Sequence, residues 1–170
     1  MANKHAVVRT DNMYGTDVRT GLVSTKYMGA DGTTPTEIEN GNIVKIGALI
    51  DGEREIYIGT DATSTDDIKD IVLIASPEVV YDERMRNLDD YINAKDYTCR
   101  GYRLHTGDIF GVTIEALTGS ETPKKGDIVE LTNGTKLNVA TTATEGSTTV
   151  GEIIAIDVVG RYTYYVIEIG

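Results

Sequence analysis

Apolar and polar residues alternate along much of the chain from residue 42 onward. In the run NIVKIGALI, Val44 and Ile46 fall on one side of a strand and Lys45 on the other. The pair Asp51-Gly52 follows, and a second alternating run, REIYIG, comes shortly after it. Because Asp-Gly favours tight turns, the two runs predict a β-hairpin.

The last 70 residues repeat this pattern in short runs separated by turn residues. Asn133-Gly134 lies between DIVEL and TKLNV, and Gly160-Arg161 joins the two halves of a closing hairpin over Ile153–Ile169. A continuous apolar run, DIVLIAS at residues 70–76, predicts a strand buried on both faces. Together these runs predict a mainly β domain, a β-barrel or β-sandwich of short antiparallel strands.

One segment departs from the two-residue period. Tyr81, Met85, Leu88, Tyr91 and Ile92 recur at the spacing of one helix face. Charged residues fill the positions between them, as on the solvent side of an amphipathic helix. The spacing predicts one short α-helix over about residues 81–94, with its apolar face in the core.

Residues 1–41 have the weakest pattern in the chain. They are polar and rich in Thr, Asn and Gly, and the stretch ADGTTPTEIENG at residues 30–41 is typical of a linker. We therefore divide the chain into an extended N-terminal arm with its linker, residues 1–41, and a β-rich body, residues 42–170. The arm either docks on a partner or is a frayed terminus or a first strand of the domain's own sheet. Docking would use residues spread along the arm: Arg9, Met13, Tyr14, Arg19, Leu22, Val23 and Tyr27.

The formal net charge of −11 is divided unevenly. Residues 1–29 carry four basic and two acidic residues, a sum of +2, so residues 30–170 carry −13. An acidic body would repel phosphates, so a nucleic-acid partner is not expected. The division predicts a mildly basic arm that holds a partner while the acidic body faces solvent.

Several classes of protein are excluded by composition. One cysteine, Cys99, forms neither an internal disulfide nor a Cys-based zinc site. No stretch approaches 18 apolar residues, so no transmembrane span is expected, and the first residues lack the apolar core of a secretory signal. These features favour a soluble protein of the cytoplasm or of a larger particle.

Candidate chemistry is sparse. Asp108 follows His105 closely enough to orient it as a base, although a polar turn is the simpler interpretation. Arg100 could lower the pKa of the neighbouring Cys99 thiol, but a small packed residue is the simpler interpretation there too. The acidic run at residues 61–70 lacks the glycine and closing glutamate of an EF-hand. We therefore expect no enzymatic activity, no metal and no cofactor.

The C-terminal half contains a recognisable pattern. PKKGDIVELTNGTKL is followed by a Thr-rich loop and then by VGEIIAIDVVGRYTYYVIEIG. The entry Gly126-Asp127-Ile128-Val129, the later Val150-Gly151 and the final hairpin resemble the auxiliary head proteins, or capsid decoration proteins, of tailed bacteriophages.

The resemblance implies a structural role in the virion. Proteins of this family bind the outer surface of the assembled shell, often as trimers, and stabilise it. The expected partners are the major capsid protein of the same phage and further copies of this chain, a trimer being the expected homo-oligomer. The expected location is the capsid surface, and the host cytoplasm during assembly; neither nucleic acid nor membrane is an expected partner.

Other functions remain open at this point. The protein could be another head or tail component. It could also be a β-sandwich module that binds carbohydrate or protein through Tyr162, Tyr164 or Tyr165, since the chain has ten Tyr, one Phe and no Trp. A hydrolase that uses paired carboxylates is the remaining alternative.

Overall fold

A computed structural model describes residues 3–17 and 21–170. The described chain is mainly β and forms two sheets, a closed barrel and an open sheet, which confirms the predicted fold class in its general form. Within these ranges, helical structure is limited to one α-helical turn, α1 (Tyr14–Asp17), and short 3₁₀ turns that include Ile68–Asp70, Leu88–Asp90 and Ile114–Ala116.

The barrel is built from five strands, each hydrogen-bonded to two others in the order β2-β4-β3-β5-β6. Their bounds are β2 (Leu22–Tyr27), β3 (Ile43–Leu49), β4 (Ile56–Thr60), β5 (Ile71–Ile74) and β6 (Cys99–Arg103). All pairs are antiparallel except β2 with β4, which run parallel. Strand β5 is buried along its whole length, as its continuous apolar run predicts.

The open sheet has seven strands in the order β1-β7-β12-β11-β9-β10-β8. Their bounds are β1 (Val8–Asn12), β7 (Ile109–Val112), β8 (Leu117–Thr118), β9 (Ile128–Glu130), β10 (Leu137–Ala140), β11 (Thr149–Val159) and β12 (Tyr162–Ile169). The β11–β12 hairpin is the longest pairing, and its register runs from Gly151 opposite Ile169 to Val159 opposite Tyr162. A shift in register between Ile153 and Ala155 bends it.

The three predicted hairpins are confirmed. Strands β3 and β4 flank Asp51-Gly52, strands β9 and β10 flank Asn133-Gly134, and Gly160-Arg161 joins β11 to β12. Gly160 has a φ of 62°, the left-handed conformation that this two-residue turn requires at its first position.

One hydrophobic core joins the two sheets. It contains Ile71 and Leu73 from the barrel together with Phe110, Ile153 and Ile167 from the open sheet, all of them fully buried. A second, smaller core lies within the barrel around Val44, Val72, Ile74 and Cys99. The barrel therefore shares its larger core with the open sheet.

The prediction of an α-helix over residues 81–94 is wrong. These residues, all of which the structure describes, form turns and the short 3₁₀ helix Leu88–Asp90. The side chains of Asp82 and Asp90 accept hydrogen bonds from the backbone N–H groups of Arg84 and Asn87, an arrangement that competes with helical hydrogen bonding. Tyr81 is 96% exposed, so the apolar spacing does not correspond to a buried face.

The described part of residues 1–41 is not a separate arm. Strand β1 pairs with β7 in the open sheet, and β2 closes the barrel between β4 and β6. The structure thus places this segment within the chain's own sheets, as the alternative interpretation had it. Each of these strands buries only a few of its side chains, so its sequence is mostly polar with isolated apolar residues. A sequence of that kind is easily mistaken for an extended arm.

Candidate interaction surface

The most exposed large apolar side chain in the described ranges, Tyr81, lies on a long connection between β5 and β6. This connection, residues 75–98 and called here the β5–β6 loop, has no strand or α-helix. Its exposed apolar residues are Val79, Tyr81, Met85, Leu88 and Tyr97. Exposed apolar side chains on one loop mark a surface suited to another macromolecule.

Buried amide side chains fix both ends of this loop. The Asn40 amide donates to the Ser76 carbonyl oxygen at 2.8 Å and accepts from the Ser76 N–H at 3.0 Å. Asn93 donates to the Ile38 carbonyl oxygen at 3.0 Å and to the Asn40 side-chain oxygen at 2.9 Å. Because these hydrogen bonds hold the loop near both ends, the exposed apolar residues between them are kept in a defined position.

Asp89 fastens the middle of the loop to the open sheet. Its carboxylate is 3% exposed and accepts hydrogen bonds from the Lys4 N–H at 3.0 Å and the Tyr162 hydroxyl at 2.8 Å. The Arg161 guanidinium lies 2.6 Å from the same carboxylate. One buried charge therefore joins the N-terminal segment, the β5–β6 loop and the turn of the β11–β12 hairpin.

This environment favours the ionised form of Asp89. Burial alone would raise the pKa of the carboxyl group, but the hydrogen bonds from Lys4 and Tyr162 and the charge of Arg161 outweigh it. The pKa of Asp89 is held below its ordinary value as a result. The residue is a structural anion at neutral pH.

The turn end of the β11–β12 hairpin adds a second exposed apolar group. Ile156, Val158 and Val159 are all exposed, Val158 by 71%. The contacts of Asp89 with Arg161 and Tyr162 bring this end of the hairpin next to the β5–β6 loop. We call these two exposed groups, without Tyr97 at the far end of the loop, the apolar rim; it consists of Val79, Tyr81, Met85, Leu88, Ile156, Val158 and Val159.

The tyrosines of strand β12 do not form an open platform. The Arg9 guanidinium lies over the Tyr164 ring, 4.8 Å from its centroid, and Arg161 lies over Tyr162 at 5.2 Å. Tyr164 is buried, and Tyr165 packs against the shared core. These rings thus pack within the protein rather than stand free as a flat surface for a sugar.

The predicted interface residues fall into three groups. Met13 and Val23 are buried in the two cores, so they leave no surface for a partner. Arg9 contacts Asp11 and Asp157, and the Tyr27 hydroxyl donates to Asp61 at 2.5 Å, so both are engaged within the chain. Tyr14 and Leu22 remain exposed, and Arg19 lies outside the described residues.

His105 and Asp108 come together, but in a turn. The Asp108 carboxylate is buried and accepts from the backbone N–H groups of Tyr14 at 2.6 Å and His105 at 2.9 Å. The His105 Nδ1 lies 3.1 Å from the Arg103 carbonyl oxygen and 3.8 Å from the Asp108 carboxylate. Asp108 therefore caps backbone groups, and this geometry is that of a polar turn.

Cys99 and the acidic residues have structural surroundings. Burial raises the pKa of the Cys99 thiol to about 12, with a smaller opposing effect from a hydrogen bond with Ser76. A thiol with that pKa is a poor nucleophile at neutral pH. Among the residues that the structure describes, no group of three or more His, Cys, Asp or Glu side chains is placed to hold a metal ion.

Sequence reasoning missed Asp89 and the apolar rim. Asp89 looked like one more charge on the outer face of a helix, and its partners Lys4 and Arg161 are remote in sequence. Tyr81, Met85 and Leu88 were predicted on the apolar face of a helix, and Ile156 and Val158 on one face of a strand. The one usable signal in the sequence was Arg161 in the hairpin turn, a basic residue in an acidic chain that could pair with a carboxylate.

Comparison with known proteins gives no relative. No protein-family model, curated protein or solved structure matches this chain. No helix in the described ranges is long and apolar enough to cross a membrane.

Proposed function

We propose that this protein is a non-enzymatic structural protein of a bacteriophage virion that binds the outer surface of the capsid and stabilises or decorates it. Its partner would be the major capsid protein of the same phage. The observation that carries the proposal is the exposure of the apolar rim, four residues of which lie on a loop that is fixed near both ends and at Asp89. The resemblance of the C-terminal half to decoration proteins supplies the class of partner.

The rim has the composition of a binding surface. Tyr81 and Met85 belong to the residue types enriched at interface cores, and the side chains of both are exposed. A loop with fixed ends loses little conformational freedom on binding, which favours affinity. Many copies on one shell would add weak contacts together.

The acidic surface fits the same role. With −13 on residues 30–170, copies that cover a particle would repel other particles and keep them apart in solution. The protein would be found on the capsid surface, and in the host cytoplasm during assembly. The resemblance further implies a homo-oligomer, a trimer in the usual arrangement.

Other virion roles share these features, whereas the carbohydrate-binding alternative loses its motivation. That alternative needs an exposed aromatic platform, and Tyr164 lies beneath Arg9. Another head or tail component would use the same rim against a different partner. Electron microscopy of the parent particle distinguishes these positions.

Binding to purified, expanded shells of the parent phage tests the proposal. We expect saturable binding at a fixed ratio to the major capsid protein. The double variant Tyr81→Ala, Met85→Ala should bind about tenfold or more weakly, because it removes two exposed apolar contacts without touching the core. The matched control is Leu49→Ala, a similarly exposed apolar residue on barrel strand β3, which should bind as the unmodified protein does.

Deletion of residues 1–29 is not a suitable test, because it removes β1 and β2 from the two sheets. Absence of saturable binding to the shells by the folded protein would refute the proposal. Equal loss of binding in the loop variant and in Leu49→Ala would refute the role of the rim.

A further inference from the structure

Strand β11 is paired on both sides for only part of its length. Strand β9 pairs with Thr149, Gly151 and Glu152, and Ile153 exchanges hydrogen bonds with Gly126 and Asp127. Beyond that point β12 is the only neighbour that forms backbone–backbone hydrogen bonds with β11 in the described ranges 3–17 and 21–170. Residues 154–159 therefore form a free strand edge.

This free edge carries few of the features that prevent edge pairing. Ile156 is 43% exposed and Val158 71%, and the stretch has no lysine and no proline. Its single charge, Asp157, is engaged by Arg9 at 2.9 Å on the face of the hairpin that holds Tyr164. An exposed, apolar strand edge is a template for strand addition.

The hairpin turn determines which backbone groups are free. Val159 and Tyr162 flank a two-residue turn and so form a hydrogen-bonded pair. Backbone groups alternate in direction along a strand, so Ile156 and Val158 direct their N–H and C=O groups away from β12. The edge thus offers donors and acceptors at alternate residues, beside exposed apolar side chains.

The sequence of the edge suits antiparallel pairing with itself. In a twofold-symmetric pair one residue faces its own copy. With Asp157 on the axis, two carboxylates would face each other, which is unfavourable. With Val158 on the axis, the partner strand would run into the Gly160-Arg161 turn and leave Ala155 unpaired. With Ile156 on the axis, residues 154–158 of each copy pair along the free edge, and Asp157 faces Ala155.

We propose that this edge binds a second copy of the chain, with β11 of each copy paired antiparallel about a twofold axis at Ile156. The pairing joins the two open sheets into one continuous sheet and covers Ile156 and Val158 of both copies, so the capsid would be bound by the part of the apolar rim on the β5–β6 loop, Val79, Tyr81, Met85 and Leu88. This self-association does not depend on binding to a capsid. It also differs from the trimer that the resemblance implies, so the two can be separated by mass.

Disulfide trapping tests the register. In a hydrogen-bonded antiparallel pair the Cα atoms lie about 5.5 Å apart, within the range that a disulfide spans. We expect Ile156→Cys to form a covalent dimer under mild oxidation about tenfold or more faster than Val158→Cys, which faces residue 154 of the partner. Val79→Cys, on the exposed β5–β6 loop, gives the rate of random collision. The native Cys99 is buried and contributes little background.

Light scattering of the unmodified protein provides the second measurement. We expect a dimer mass that falls to the monomer mass in Val158→Lys, with an unchanged circular dichroism spectrum because this side chain is exposed. A monomer or a trimer in the unmodified protein would overturn the proposal, as would equal trapping rates for the three cysteine variants. None of these results depends on whether the protein binds a shell.

Discussion

At the scale of single residues, the acidic composition serves the interior as well as the surface. Asp89, Asp108 and Glu130 are buried, and each accepts hydrogen bonds from the backbone of a loop. Glu130, for example, accepts from the Thr144 N–H at 3.0 Å and from the Asn138 amide at 2.8 Å. A carboxylate satisfies several N–H groups at once, so these residues hold loops that have no regular structure of their own.

Asp89→Asn should destabilise the protein. The amide keeps the size of the side chain but loses the charge that faces Arg161 and one of its acceptor oxygens. We expect the free energy of unfolding to fall by about 3 kcal/mol, measured by urea denaturation at neutral pH. Asp67→Asn is the control, because its ion pair with Lys69 is exposed, and it should leave the urea midpoint unchanged. Equal midpoints for Asp89→Asn and the unmodified protein would contradict the role of Asp89.

At the scale of elements, the segment before β1 is held largely by carboxylates. Glu115 accepts from the backbone and side-chain nitrogens of Asn3, each at 3.1 Å, and Asp89 accepts from the Lys4 N–H. Glu39 lies 2.9 Å from the His5 ring nitrogen. Burial would raise the pKa of the Glu115 carboxyl, but hydrogen bonds from Thr113 and Asn3 hold it below its ordinary value.

Low pH should release this segment before the sheets unfold. Since the pKa values of Asp89 and Glu115 are lower in the folded than in the unfolded chain, the stability that they contribute is complete above about pH 5. It is lost as the pH falls through the folded values. Hydrogen exchange should show the Asn3 and Lys4 amides losing protection between about pH 4 and pH 2 while the Val112 amide keeps it. Parallel loss at all three amides would contradict this expectation.

Elements with strong local signals could be predicted from the sequence. The turn residues placed all three hairpins, and the uninterrupted apolar run identified β5 as buried. The segment at residues 81–94 could not be predicted, because helical spacing says nothing about whether a surface is available to bury the apolar face. Asp82 and Asp90 instead bond to nearby backbone groups, and Tyr81 stays exposed.

The candidate site was harder to predict than the fold. It depends on contacts between remote positions, such as Asp89 with Arg161, that no local pattern contains. Of the interface residues predicted for the arm, Arg9 lies in β1 and Leu22, Val23 and Tyr27 lie in β2, and these strands pair with β7 and β6 far along the chain. The loop residues of the apolar rim are exposed because hydrogen bonds of Asn40, Asp89 and Asn93 hold the loop in place, and these contacts are seen only in the folded chain.

At the scale of the whole molecule, barrel and open sheet form one cooperative unit. They share the larger core, and backbone hydrogen bonds cross between them, including Ile43 N–H to the Thr135 carbonyl oxygen at 2.7 Å. A second such hydrogen bond runs from the Thr148 N–H to the Ser64 carbonyl oxygen, also at 2.7 Å. Neither sheet can lose its order without exposing the core of the other.

The two sheets should therefore unfold together. In Leu73→Ala, a fully buried barrel residue of the shared core loses its side chain, and the free energy of unfolding should fall by about 2–5 kcal/mol. The exchange protection of β12 in the open sheet should fall by the same amount as that of β3 in the barrel. Two separate transitions, or a loss of protection confined to the barrel, would contradict a single unit.

The early strands have a consequence for how the chain folds during synthesis. Val8 pairs with Val112, about 100 residues later, and Val23 pairs with Gly101. On the ribosome, β1 must wait until β7 has emerged, and β2, which can pair earlier with β4, is paired on both sides only after β6 has emerged. Such long-range closure makes folding slow and leaves apolar strands unpaired meanwhile, so chaperone demand and expression temperature should govern the yield of soluble protein.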